Sequence, residues 1–244
     1  MRSFAQYQQY FTAEYLMGPN SVRLAGELLE TYPLQTEQGH LYKRNRILDL
    51  GCGTGLTSLF IARETDAIVY ANDLWTDAEA NAGRFQAWDI SDQVIPLQED
   101  AENLTFEKEF FDAVISVDAY HYFAGKEGFF QTKILPYVKS GGMVLIAVPG
   151  IQEAYEGKQR ETIHEWLGED DHMFHSCSWW KAMIGEHPDI AFVETWEMKS
   201  FMAAWNDWLA IENAYANRDR LFFDTVIQKY SDFVGIAVRK IKKF

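Results

Sequence analysis

Arg46-Ile47-Leu48-Asp49-Leu50-Gly51-Cys52-Gly53-Thr54-Gly55 decides how the rest of the chain is read. Ile47, Leu48 and Leu50 predict a short buried strand. Glycines at alternate positions then turn the chain, and an apolar helical pattern opens at Leu56. Strand, glycine turn and helix are the build of a nucleotide-binding βαβ unit, in which glycine lets backbone approach a ligand without a Cβ clash. The spacing discriminates among ligands. A dinucleotide loop needs glycine at the first, third and sixth positions. Counted from Gly51, the sixth position is Leu56 and the fifth is Gly55. A pyrophosphate-binding loop, and with it a nicotinamide oxidoreductase, is therefore disfavoured.

Order and spacing continue downstream. A second apolar strand, residues 67–71, ends at Asn72-Asp73. Asp73 lies about twenty residues past the glycines, where a carboxylate accepts ribose hydroxyls. A third strand, residues 94–98, ends at Glu99-Asp100-Ala101. A fourth is Phe111-Asp112-Ala113-Val114-Ile115-Ser116-Val117-Asp118, and a fifth, residues 143–148, follows Gly141-Gly142.

The Asp-x-Gly-x-Gly-x-Gly pattern followed by these strands resembles the class I S-adenosylmethionine-dependent methyltransferases, in particular the small-molecule type 11/12 group. The resemblance covers roughly residues 45–150. It implies an α/β fold: a Rossmann-like, doubly wound, seven-stranded, mostly parallel sheet between helix layers, with the last strand antiparallel. It implies S-adenosyl-L-methionine as cofactor and S-adenosyl-L-homocysteine as product. Carried onto this chain, the cofactor set is Asp49, Gly51, Cys52, Gly53, Thr54 and Gly55 around the loop, with Asp73 on the ribose. Leu74 is expected against the adenine, Asp100 and Ala101 on its amino side, and Asp118 after strand four.

Composition bounds the partners. The chain has 244 residues, 48% of them hydrophobic, so one large domain over residues 1–244 is expected. A net charge of −14 repels a phosphate backbone and disfavours nucleic acid. Strand four also leads into Asp118-Ala119-Tyr120-His121, not an Asn-Pro-Pro-Tyr-like signature. Two distant cysteines make a disulfide framework implausible and fit a reducing, cytoplasmic location. No signal-peptide pattern opens the sequence and no apolar run reaches bilayer length, so no membrane partner is expected.

The flanks carry the acceptor side. Phe4, Tyr7, Tyr10, Phe11 and Tyr15 have helical spacing and predict an amphipathic segment over residues 1–17. Ser21 is expected to cap a following helix. In the resembled family such a leader often folds over the cofactor, so residues 1–32 are expected as a helical lid. Residues 34–45 read as a polar linker. Thr76 and Glu79 make a capping box for a helix reaching about Trp88. His121, in the loop after strand four, is the candidate general base, with a pKa suited to neutral pH and Tyr120 beside it.

After Pro149, residues 155–167 read as a helix, and another starts near Ser176 with Trp179, Trp180 and Met183 packing inward. Residues 192–198 read as strand six and 232–241 as the last strand. Helical insertions at 151–189 and 199–231 would close the acceptor pocket, with Tyr15, Tyr122, Tyr155, Trp179 and Trp205 as substrate contacts. No metal site is expected, because no cysteine or carboxylate pattern frames His164, His172 and His175. The expected function is in-line methyl transfer to a small molecule, driven mainly by alignment. The alternative is a non-catalytic module that binds the same cofactor. Aromatic walls and surplus carboxylate suit an amine or a flat apolar acceptor.

Overall fold

Side chains of a strand alternate between its faces, and the first strand uses both. The computed structural model describes residues 4–34 and 45–243, so the linker expected at 34–45 lies, apart from its ends, outside the described residues. In β1 (Arg46–Leu50), Ile47 faces a layer with Leu59, Phe60, Val69, Ile115 and Leu145. Leu48 and Leu50 face the opposite layer with Val114, Ile146, Phe130 and Trp180. The sheet is thus covered on both faces, which is why its strands read as continuous apolar runs.

The other strands are β2 (Ile68–Asn72), β3 (Val94–Leu97), β4 (Phe111–Val117), β5 (Val138–Ile151), β6 (Ile190–Glu197) and β7 (Ser231–Lys240). Their order is β3-β2-β1-β4-β5-β7-β6, the expected seven-stranded sheet. β1 pairs in parallel with both β2 and β4, while β7 runs antiparallel between β5 and β6. The order reverses between β1 and β4, and ligands of such sheets bind outside the carboxyl ends at that point. β5 is longer than expected: Gly141 and Gly142 lie inside it, beside a register shift opposite Phe111 and Ala113.

Five local expectations are corrected. The leader is not one amphipathic helix. A 3₁₀ turn over Ala5–Tyr10 gives way to an irregular path, because its rings anchor separately: Phe4 and Tyr7 on Phe60, Tyr10 and Tyr15 on Trp88. Asn20, not Ser21, caps α1 (Ser21–Thr31); its side chain accepts the Val22 N–H while its amide donates to Asp207. After α2 (Leu56–Glu64), Asp77 and not Thr76 caps α3 (Ala78–Ala87), because the Thr76 N–H is already given to Asp73. The helix expected from 155 begins only at α4 (Arg160–Leu167), since Gly157 and Gln159 sit at φ +69° and +56°. α5 (Cys177–Ile184) follows Ser176, whose side chain makes no cap, and of Trp179, Trp180 and Met183 only Trp180 is buried; Trp179 stacks on His175 at 3.5 Å. The late insertion forms α6 (Phe201–Leu209) and α7 (Ala214–Phe222), the expected two helices, before a further helical turn into β7.

Leu145 sits in the middle of β5, fully buried. Leu145→Ala leaves a cavity in close-packed surroundings and is expected to cost about 2–5 kcal/mol, read from urea denaturation against wild type.

Candidate cofactor and acceptor site

At the carboxyl ends of β1 and β4 the chain leaves a cleft of about 420 Å³, within the range of small-molecule sites. One wall is the glycine turn. Gly51, Gly53 and Gly55 have φ of +79°, +53° and +90°, conformations that side chains rarely adopt. A Cβ on Gly51 would meet the Ala119 Cβ at 2.2 Å, and one on Gly55 would meet the Phe85 ring at 2.3 Å. The glycines therefore let this turn lie against the loop after β4 and against α3.

Asp73 ties the turn to β2. It accepts the Gly53 N–H (2.9 Å) on one oxygen and those of Trp75 (2.9 Å) and Thr76 (2.7 Å) on the other. The oxygen with a single donor keeps acceptor capacity at the cleft, which Asp73 lines. Asp49 stands differently. It is fully buried, takes the Ser58 hydroxyl at 2.6 Å on one oxygen and has no partner among the described residues on the other, and it does not line the cleft. Burial, with the charge of Asp73 added, pushes its pKa up to about 7 against the pull of Ser58. Its bond to Ser58 ties β1 to α2.

Leu74, Trp75, Asp100 and Ala101 line the cleft opposite the glycines, and Leu74 and Trp75 stand open to solvent. Trp75, 72% exposed, meets the ring of Tyr122, 51% exposed, edge to face at 5.4 Å. The leader supplies the remaining wall. Thr54 Oγ1 donates to the Tyr15 carbonyl (2.6 Å), and the Met17 sulfur lies where a Cβ on Gly53 would reach it at 2.8 Å. Tyr15, Met17 and Gly18 line the cleft.

Asp118 occupies its far end. Its backbone is left-handed at φ +56°, a conformation that among non-glycine residues asparagine and aspartate tolerate best. A Cβ on Gly18 would meet an Asp118 carboxylate oxygen at 2.8 Å, so glycine leaves that oxygen its space. Burial, then the charge of Asp219, raises its pKa to about 7.

Other expected site residues are not at the cleft. Tyr120 is buried among Phe123, Phe129 and Trp180. His121 is only 5% exposed, lies against Tyr122 and Phe174, and has no hydrogen-bond partner on Nδ1 among the described residues. Burial pulls its pKa down to about 3, so the expected pKa near neutrality is corrected: this imidazole is held uncharged. Of the expected substrate contacts, Tyr15 and Tyr122 line the cleft. Tyr155 packs on Tyr230, Trp179 on His175, and Trp205 in the core against Trp166, Phe201 and Phe223. Sequence reasoning passed over Met17, Gly18 and Asp219 and preferred Leu74 to its neighbour Trp75. The Gly18-Pro19 break beside an aromatic leader was the available signal for the first two; Asp219 had none. Among the described residues, no group of three His, Cys, Asp or Glu side chains is arranged to hold a metal, and no helix is long and apolar enough to cross a membrane.

Residues 48–146 match the family described as "Methyltransferase domain". No curated protein matches the chain in sequence. Solved structures match nearly its whole length. Phosphoethanolamine N-methyltransferase 2 of Haemonchus contortus, solved with S-adenosyl-L-methionine, is 19% identical with a TM-score of 0.72, covering 99% of this chain and 61% of its own. Geranyl diphosphate C-methyltransferase of Streptomyces coelicolor A3(2), solved with S-adenosyl-L-homocysteine, is 15% identical with a TM-score of 0.66, covering 89% and 78%. The [4+2]-cyclase SpnF matches equally well, at 17% identity and a TM-score of 0.67 over 91% and 81%. At such identities the likeness establishes the fold and leaves the reaction to the site. The glycine turn and the Asp73 carboxylate that closes it lie inside the segment, residues 48–146, that matches this methyltransferase family.

Proposed function

We propose that this protein transfers a methyl group from S-adenosyl-L-methionine to a small-molecule acceptor bound between the leader and the loop after β4. The carrying observation is the Asp73 carboxylate, anchored across the glycine turn at the point where the strand order reverses. The cleft suits the cofactor by shape: its glycines let the turn pack closely on the loop after β4, on Met17 and on α3, and Met17, Leu74 and Trp75 offer apolar surface that a bound purine would cover.

Asp73 would hold the ribose; Leu74, Asp100 and Ala101 would meet the adenine; Gly51, Cys52, Gly53 and Thr54 would bear on the methionine end. The bound cofactor supplies a methyl group already activated by its sulfonium. What the chain must add is alignment and exclusion of water. Tyr15, Met17 and Gly18 close the cleft on one side, and Tyr122 and Asp118 present the acceptor from the other. Asp118 is the group suited to a proton transfer; Tyr120 and His121, off the cleft, back the wall that Tyr122 forms. Residues 1–32 act as the lid, and residues 151–189 and 199–231 brace the loop after β4. The acceptor would be a small molecule and not nucleic acid, and the charge and cysteine usage suit a cytoplasmic enzyme.

Calorimetry tests the reading directly. S-adenosyl-L-homocysteine is expected to bind and nicotinamide dinucleotides to give no heat; tight dinucleotide binding without a response to S-adenosyl-L-homocysteine would sink it.

Asp73→Ala removes the ribose acceptor and strands the N–H groups of the turn. Affinity for S-adenosyl-L-homocysteine should drop about ten- to a hundred-fold, with about 1–3 kcal/mol lost in urea denaturation. Unchanged affinity in the folded variant would free Asp73 of that role.

Asp118 carries a stability signature. Its folded pKa of about 7 exceeds the usual 3.8, so the native state holds the extra proton between those values, and stability falls as pH rises toward 7. Asp118→Asn keeps the left-handed preference and removes the charge. It is expected to raise the melting temperature by about 2 °C or more at pH 8 and by less at pH 5, while turnover is lost. Equal shifts at both pH values would show that the carboxylate is not strained by burial.

A further inference from the structure

We infer that the methyl acceptor is an amine bearing no phosphate or carboxylate, and that Asp118 is the carboxylate that receives it; the inference rests on the methyl-transfer reading above. Asp73, Glu99, Asp100, Glu102 and Asp118 line the cleft, and no described Lys, Arg or His does. Four of these carboxylates have partners within the protein. Asp73 holds backbone N–H groups of the turn, Glu99 the backbone and hydroxyl of Thr105, Asp100 the Glu102 N–H and the Asn103 amide, and Glu102 the Lys126 ammonium at 2.8 Å. Asp118 differs: burial and Asp219 act on it, and no donor or cation among the described residues does.

Asp219 cannot serve as that partner. Its two oxygens hold the indole N–H groups of Trp166 (2.9 Å) and Trp208 (2.8 Å), which fixes a second negative charge in the same neighbourhood. A phosphate or carboxylate brought to Asp118 would meet like charge with no cation among the described lining residues to offset it. An ammonium would find a free carboxylate, with Tyr122, half exposed at the cleft, beside it for its alkyl or aryl portion. Gly18 keeps the space beside the Asp118 oxygen open.

The chemistry balances without a further reactant. The ammonium proton passes to Asp118, the freed nitrogen lone pair forms the bond to the methyl carbon, and the carbon–sulfur bonding pair leaves with the thioether. Asp118 then returns its proton to water.

The test uses the full chain saturated with S-adenosyl-L-homocysteine for calorimetry, and S-adenosyl-L-homocysteine release for turnover. Three pairs differ by one anionic group: tyramine and tyrosine, tryptamine and tryptophan, ethanolamine and phosphoethanolamine. At least one amine without the anion should bind and turn over, preferred by about tenfold or more over its partner. Asp118→Asn should abolish that amine's binding heat. Preference for the anionic members, or no binding of any of the three amines by a protein that binds S-adenosyl-L-homocysteine, overturns the inference and leaves methyl transfer standing. Failure to bind S-adenosyl-L-homocysteine at all overturns both.

Discussion

The hydrogen bond from the Gly53 N–H to Asp73 holds the site together. Gly51, Gly53 and Gly55 all lie at positive φ, so the turn has little local preference to keep its shape. A charged acceptor at the end of β2 supplies that preference, since hydrogen bonds to a carboxylate are about twice as strong as neutral ones. The same carboxylate fixes Trp75 and Thr76, and so sets where the cleft's apolar rim begins. Backbone pairing supports it from behind: the Gly51 and Cys52 N–H groups both donate to the Asn72 carbonyl. Strand ends, turn and rim thus share one anchoring residue and its neighbour.

Around this anchor the two faces of the sheet divide the work. On the Ile47 face, α1 and α2 receive the leader through Tyr7, whose hydroxyl donates to Glu64 at 2.7 Å. On the Leu48 face, Phe129 and Trp180 pack against Tyr120 and carry the loop after β4. The cleft lies where these two assemblies meet, so its walls can be altered from either side without disturbing β1.

The sheet was legible because its signals are local. Apolar runs in β1, β2, β4 and β7 are long enough to identify singly, and the glycine spacing singled out the loop chemistry. Helix starts were less legible, since a cap depends on which donors are still free. Thr76 lost its role because Asp73 had taken its N–H, and Asn20 displaced Ser21 because its amide also reaches Asp207. The acceptor side was least legible. An aromatic residue serves equally as core or as wall, and only packing separates them: Trp205 went to the core, Trp75 to the cleft. His121 shows the same limit for chemistry, as its burial, invisible in sequence, decides its charge.

The contact between Gly18 and Asp118 joins positions a hundred residues apart into one heritable unit. Enlarging residue 18 crowds the carboxylate, and replacing Asp118 with a residue that shuns left-handed backbone bends the loop away. Neither position can drift alone. A chain that keeps both, with the leader glycine before a proline and the acid directly after β4, would be expected to share this acceptor chemistry even where the rest of its sequence has diverged.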